Sequence, residues 1–196
     1  MNWSGDQSTA SYGLWGDGTP KAFSADNGYL ILQTRLSGWV GDAGGTDDNH
    51  TAVLGYNLAT GSLTRLSHSS AAGNKQQAAS ASYAGISADG NTVYFTAADA
   101  SKFGNNGVAF TDSATSANDL FAVRVDTLKT ELVSGINGAS LGQAVTFVGV
   151  SDSGQLVYRT SNVNGLPAQG GTLSDSVTSG GEDVVSTRFA LLDLLG

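Results

Sequence analysis

The residues of this chain best suited to chemistry are aspartates set among glycines. The stretch Asp42-Ala43-Gly44-Gly45-Thr46-Asp47-Asp48-Asn49 gathers three carboxylates and an amide in one short run. Two later stretches repeat the theme, with Asp112, Asn118 and Asp119 in one and Asp175, Glu182 and Asp183 in the other. Calcium takes roughly six to eight oxygens from carboxylates, amides and carbonyls on a chain flexible enough to wrap the ion. Asp42, Asp47, Asp48, Asn49, Asp112, Asp119, Asp175 and Asp183 are therefore the candidate calcium ligands. None of these stretches has EF-hand spacing or the nonapeptide calcium repeat. The competing reading is that they are solvated turns, with Asp as the turn former.

The three tryptophans show a second pattern. Trp3-Ser4-Gly5-Asp6, Trp15-Gly16-Asp17-Gly18 and Trp39-Val40-Gly41-Asp42 each place an aspartate shortly after the ring. A ring beside a carboxylate is the makings of a sugar platform, the ring stacking and the acid accepting hydroxyls. Trp39 and Trp15 are the candidate ligand-binding residues. The plainer reading has each ring plugging a loop onto the sheet beneath it.

Catalytic constellations are weak. His50 and His68 are the two histidines, both in polar stretches that read as exposed. No serine stands in a Gly-x-Ser-x-Gly elbow, and the abundant aspartates sit where turns explain them. The expectation is a non-enzyme, with no catalytic residue assigned.

Loops of this kind need strands to hold them, and the chain supplies those strands periodically. Phe23-Ser24-Ala25-Asp26-Asn27-Gly28, Ile86-Ser87-Ala88-Asp89-Gly90 and Val150-Ser151-Asp152-Ser153-Gly154 share one design. Their serines lie 63 and 64 residues apart. Each segment is an apolar residue and a tight turn, followed by a β-rich run at 29–34, 92–96 and 156–160. Further runs match across units: 52–58 with 119–125, 62–67 with 129–134, and 80–86 with 144–150. The predicted units are residues 1–22, the end of a preceding unit or an N-terminal strand, then 23–85, 86–149 and an incomplete 150–196. Long polar loops at 36–51, 97–118 and 161–182 separate the first two strands of each unit, and loops of that length are often functional. No helix is expected. Arg65, Arg124 and Arg159 read as isolated strand charges.

The run Ile86-Ser87-Ala88-Asp89-Gly90-Asn91-Thr92-Val93-Tyr94-Phe95, then Asp119-Leu120-Phe121-Ala122-Val123, resembles the TolB-like (PD40, WD40-like) β-propeller repeats. Thr60-Gly61 supplies the matching turn. The resemblance covers about residues 23–194 and implies an all-β fold of four-stranded antiparallel blades. It departs from the family in blade length and in number. Closed propellers have about four to eight blades, whereas this chain holds two and a half to three repeats. What completes the sheets is therefore the open question: a longer chain, several chains together, or stacking without closure.

Composition narrows the function classes. Acids number 17, nearly all Asp, against 9 basic residues, for a net charge of −8. Without clustered Lys or Arg, such a chain is a poor ligand for nucleic acid, and it has no basic amphipathic stretch for a membrane surface. With no cysteine, disulfides and thiolate zinc sites are excluded. The start of the chain does not read as a signal peptide, so an export signal is expected elsewhere or in a longer parent. Absent cysteine, low charge and many small polar residues are similar to large secreted bacterial surface proteins. The expectation is an extracellular or cell-surface bacterial module for adhesion, scaffolding or fibre assembly, with calcium as its one candidate cofactor. Its partners would be proteins, or further copies of itself, meeting open blade edges. A carbohydrate-binding propeller using Trp39, and the propeller portion of a larger hydrolase, are the alternatives.

Overall fold

The repeat serine sets the first structural element. Ser87 accepts a hydrogen bond from Thr92 N–H on its Oγ (3.0 Å), while its own N–H donates to Thr92 O (2.9 Å). Ser24 does the same with Tyr29, and Ser151 with Gln155. In the second and third copies the turn closes on a glycine in the left-handed region, Gly90 (φ 72°) and Gly154 (φ 77°). A side chain there is strained, so this turn selects glycine. The periodic motif is thus a hairpin clamp used three times.

The computed structural model describes residues 19–24, 28–34, 50–69, 79–105, 107–114, 116–161, 163, 166–168, 171–172 and 181–188. The first sheet holds β1 (Thr19–Phe23), β2 (Tyr29–Thr34), β3 (Ala52–Asn57) and β4 (Leu63–Arg65), antiparallel in that order. The second sheet holds β5 (Ala81–Ile86) and β6 (Thr92–Ala97), followed after a long loop by β9 (Asp119–Arg124) and β10 (Thr130–Leu132). Within that loop β7 (Gly104–Asn105) and β8 (Val108–Ala109) form a small hairpin. A second small hairpin, β11 (Gly135–Ile136) with β12 (Ala139–Ser140), follows. The third sheet orders β13 (Val145–Val150), β14 (Gln155–Thr160) and β17 (Asp183–Arg188), with the hairpin β15 (Pro167–Ala168) and β16 (Gly171–Thr172) inserted. The chain is all-β, in antiparallel sheets of three or four strands with small hairpins between them, and no sheet closes on itself among the described residues. Among the described residues a single turn of 3₁₀ helix, Ala100–Lys102, departs from the expectation of no helix.

The sheets run one strand out of phase with the sequence units. Residues 81–86 and 145–150 look like the last strand of a unit. Instead β5 pairs with β6 and β13 with β14, so each opens the next sheet. The serine turn joins the two members of a hairpin, and local pairing across a tight turn prevails. Each opening strand carries a bulge at the same place, between Pro20 and Ala22, Tyr83 and Gly85, and Phe147 and Gly149.

Alternation along the strands sends side chains to both faces, and the sheets stack through them. Ile31, Val53 and Leu66 of the first sheet pack with Val93, Phe95, Phe121 and Val123 of the second. Tyr94, Leu120 and Ala122, on the other face of the second sheet, pack with Val145, Leu156, Tyr158 and Val185 of the third. The second sheet is therefore buried on both faces, and β9 is buried over nearly its whole length. At the second interface the Phe147 ring lies against Gly85 and stacks on Tyr94 at 5.7 Å. A Cβ on Gly85 would stand 2.5 Å from Phe147 Cζ, so glycine lets the third sheet approach.

Candidate interaction site

The long loop of the second sheet shows what its aspartates do. Asp99 caps the 3₁₀ turn by accepting from Ser101 N–H (3.0 Å), and Phe103 behind it is fully buried against Phe95 and Phe121. Asp112 accepts from Ala100 N–H (2.7 Å) on one oxygen and Ala114 N–H (2.8 Å) on the other. Both of its oxygens thus hold the loop's own backbone.

Asp119 is not a loop residue. It opens β9 and is wholly buried. Its Oδ1 accepts from Ser134 Oγ and Ser140 Oγ, both at 2.8 Å, while Oδ2 has no hydrogen-bond partner among the described residues. Burial pushes its pKa up to about 6, the two serine bonds oppose that rise, and the charges of Asp112 and Asp99 add to it. The residue ties β9 to the segment after β10 and to the β11–β12 hairpin. Asp183 occupies the equivalent place on β17, opposite Thr160, and is half-buried.

Among the described residues no group of three acidic or histidine side chains is placed to hold a metal ion. Asp42, Asp47, Asp48, Asn49, Asp175, Trp15 and Trp39 lie outside the described residues.

Three expectations about charge are corrected. Arg124 is not isolated: it forks onto Asp126 at 3.0 and 2.7 Å, which holds the Asp126 carboxyl below its usual range. Arg159 pairs with Glu182 at 2.7 Å. Arg65 is completely buried on β4. Nor is His68 an exposed polar residue. It is half-buried, with Nδ1 2.8 Å from Ser69 O and Nε2 2.8 Å from Leu128 O, so it bridges the first two sheets. Adjacent-residue reading misses such partners, because Leu128 lies 60 residues away in sequence.

The third sheet differs from the others at one edge and one face. In the first sheet the second residue of the third strand, Val53, is closed by the chain after β4. Its N–H donates to Ser67 Oγ (2.9 Å) and its carbonyl accepts from Leu66 N–H (2.8 Å). Leu120 repeats this on β9, with Ser134 Oγ (3.0 Å) and Val133 N–H (2.8 Å). Val184 is the equivalent on β17, set opposite Arg159 as Val53 is opposite Gln33 and Leu120 opposite Thr96. Among the described residues no strand pairs with the outer side of β17. Val53 and Leu120 are 0% exposed, whereas Val184 is 67% exposed. An edge presenting free N–H and C=O groups is a template for another strand. Beside Val184, Gln155 Nε2 donates to Ser186 Oγ at 2.5 Å, and Val148 of β13 is also exposed.

No family model and no curated protein matches the chain. Among solved structures it is similar to a putative TolB from Agrobacterium tumefaciens, with 16% identity and a TM-score of 0.41, over 73% of this chain and 38% of that one. It is also similar to TolB from Acinetobacter baumannii, with 12% identity and a TM-score of 0.43, over 89% of this chain and 31% of that one. The chain thus spans about a third of the length of either structure. The described residues define a repeat array of stacked antiparallel sheets.

Proposed function

We propose that the chain is a non-enzymatic repeat module of the bacterial cell exterior, serving adhesion, scaffolding or surface assembly through protein contacts at its third sheet. One observation carries this reading. The position closed by a strand and buried by a neighbouring sheet in the first two blades has neither at Val184 among the described residues. Strand edges of this kind are managed in proteins by covering or pairing them. Burial at that position in two blades out of three supports a surface built to be covered. The cysteine-free, acidic composition supports an exterior location, and no described helix is long and apolar enough to cross a membrane.

Size-exclusion chromatography with light scattering over a hundredfold concentration range tests the reading. Concentration-dependent assembly, reduced by Val184→Lys, is the expected result. A monomer at every concentration that also retains no protein partner in a surface-fraction pull-down contradicts it.

A further inference from the structure

The long loop of the second sheet carries the β7–β8 hairpin to a fixed place beside β10. Phe110 N–H donates to Phe103 O (2.9 Å), Phe103 is fully buried, and the Phe110 ring lies 6.0 Å from that of Phe121, so both ends of the hairpin are pinned to the core. Among the described residues β10 is the outer strand of its sheet. Lys129 O accepts from Arg124 N–H and Val133 N–H donates to Leu120 O, so these residues face β9. By strand alternation Glu131 faces β9 as well, and Thr130 and Leu132 turn their backbone groups outward. Asn105 of β7 meets the first of these outward pairs. Thr130 N–H donates to Asn105 Oδ1 (2.8 Å), and Asn105 Nδ2 donates to Thr130 O (2.5 Å). Facing residues of an antiparallel ladder exchange two bonds in the same way. A carboxamide offers the donor and the acceptor of a peptide group, so here a side chain stands in for a strand residue. The orientation of the amide is fixed by its partner, because Thr130 N–H can only donate and its carbonyl can only accept.

We propose that Asn105 closes the β10 edge against strand addition, its carboxamide occupying the place where the first residue of an incoming strand would bond. The β7–β8 hairpin is the arm that holds it there. An edge with free N–H and C=O groups is a template for another chain, and proteins blunt such edges by covering them. The chain shut out is a second copy of this molecule, whose own β10 offers the same outward groups. With Thr130 engaged on both its N–H and its C=O, an added strand would have to displace two bonds before forming any at that residue. Part of the 97–118 loop thus has a defined task, which is to keep the second sheet from pairing edge to edge. This device is separate from the third-sheet contacts proposed above and does not depend on them.

The test uses the full chain carrying Val184→Lys, so that assembly through the third sheet does not contribute. Asn105→Ala is added to free both Thr130 groups. Amide hydrogen exchange at Thr130, read at low concentration, is expected to quicken about five- to tenfold, the equivalent of one lost hydrogen bond. The inner amides of Ala122 and Glu131 are expected to keep their protection. Light scattering over a hundredfold concentration range is expected to show association stronger than that of the Val184→Lys parent. At high concentration Thr130 exchange should slow again as its N–H finds a partner strand. Where Asn105→Ala also loosens Ala122 and Glu131, Asn105→Asp carries the test in its place. It has the same shape but cannot donate to Thr130 O at neutral pH, and association above the parent is expected again. Unchanged exchange at Thr130 in Asn105→Ala means that the amide does not hold the edge. Association no stronger than the parent's, in the variant that carries the test, means that holding the edge excludes nothing. Either result overturns the proposal.

Discussion

Replacing Asp119 by Asn flattens the pH dependence of stability on the acid side of neutrality. The wild-type carboxyl is wholly buried, and burial raises its pKa from 3.8 to about 6. A group with a raised folded-state value binds more protons in the native chain than in the unfolded chain. Its contribution is therefore complete below about pH 4 and is lost as pH rises through about 6. Roughly two pKa units at 1.36 kcal/mol each amount to about 3 kcal/mol. Asparagine keeps an acceptor for Ser134 and Ser140 but never ionises. Urea denaturation of both proteins at pH 4, 5, 6 and 7.5 isolates the effect, because every other carboxyl titrates in both. The variant is expected to gain about 2.4 kcal/mol of that relative to wild type between pH 4 and 7.5, whatever offset the buried amide introduces. Parallel stability curves, within about 0.5 kcal/mol, refute the assignment of Asp119 as the buried proton site.

Three further outcomes follow from the packing and turn geometry. Gly85→Ala places a methyl group against Phe147 and is expected to destabilise by about 1–3 kcal/mol; thermal melts check this, and Phe147→Leu in the same chain should recover part of the loss. Ser87→Ala leaves Thr92 N–H, on a buried residue, without its acceptor and is expected to cost about 1–3 kcal/mol by chemical denaturation. Ser151→Ala, at an exposed turn, should cost less. His68→Ala removes the bridge to Leu128 O and is expected to lower stability by about 1–2 kcal/mol, with faster exchange of amides in the 126–129 turn by hydrogen–deuterium exchange.

How much the sequence revealed depends on how far apart the interacting residues are. The hairpin clamp was legible because Ser87 and Thr92 are five residues apart and turn chemistry is local. The alternation that sends Val93 and Phe95 to one face and Tyr94 to the other was legible for the same reason. The phase of the blades was not, since a repeat reads identically wherever it is cut, and only pairing assigns β5 to the second sheet. Asp119 looked like a loop oxygen donor because it follows a polar run. Its partners Ser134 and Ser140 lie 15 and 21 residues downstream and are brought to it by β10 and β12. Gly85 carried no signal of its own, because the ring it admits comes from the next blade.

The β17 edge follows from comparing blades, not from any single motif. Val53, Leu120 and Val184 share a register but not an environment. The difference lies in what stands beside them.

The central claim is that, among the described residues, the third blade is open where the first two are closed. Residue-resolved amide hydrogen exchange of the isolated chain at low concentration tests it directly. Val53, Gly55 and Asn57 on β3, and Leu120, Ala122 and Arg124 on β9, are predicted to be protected, while Val184, Ser186 and Arg188 on β17 exchange rapidly. Equal protection along all three strands would mean that the β17 edge is already paired, and would contradict the account.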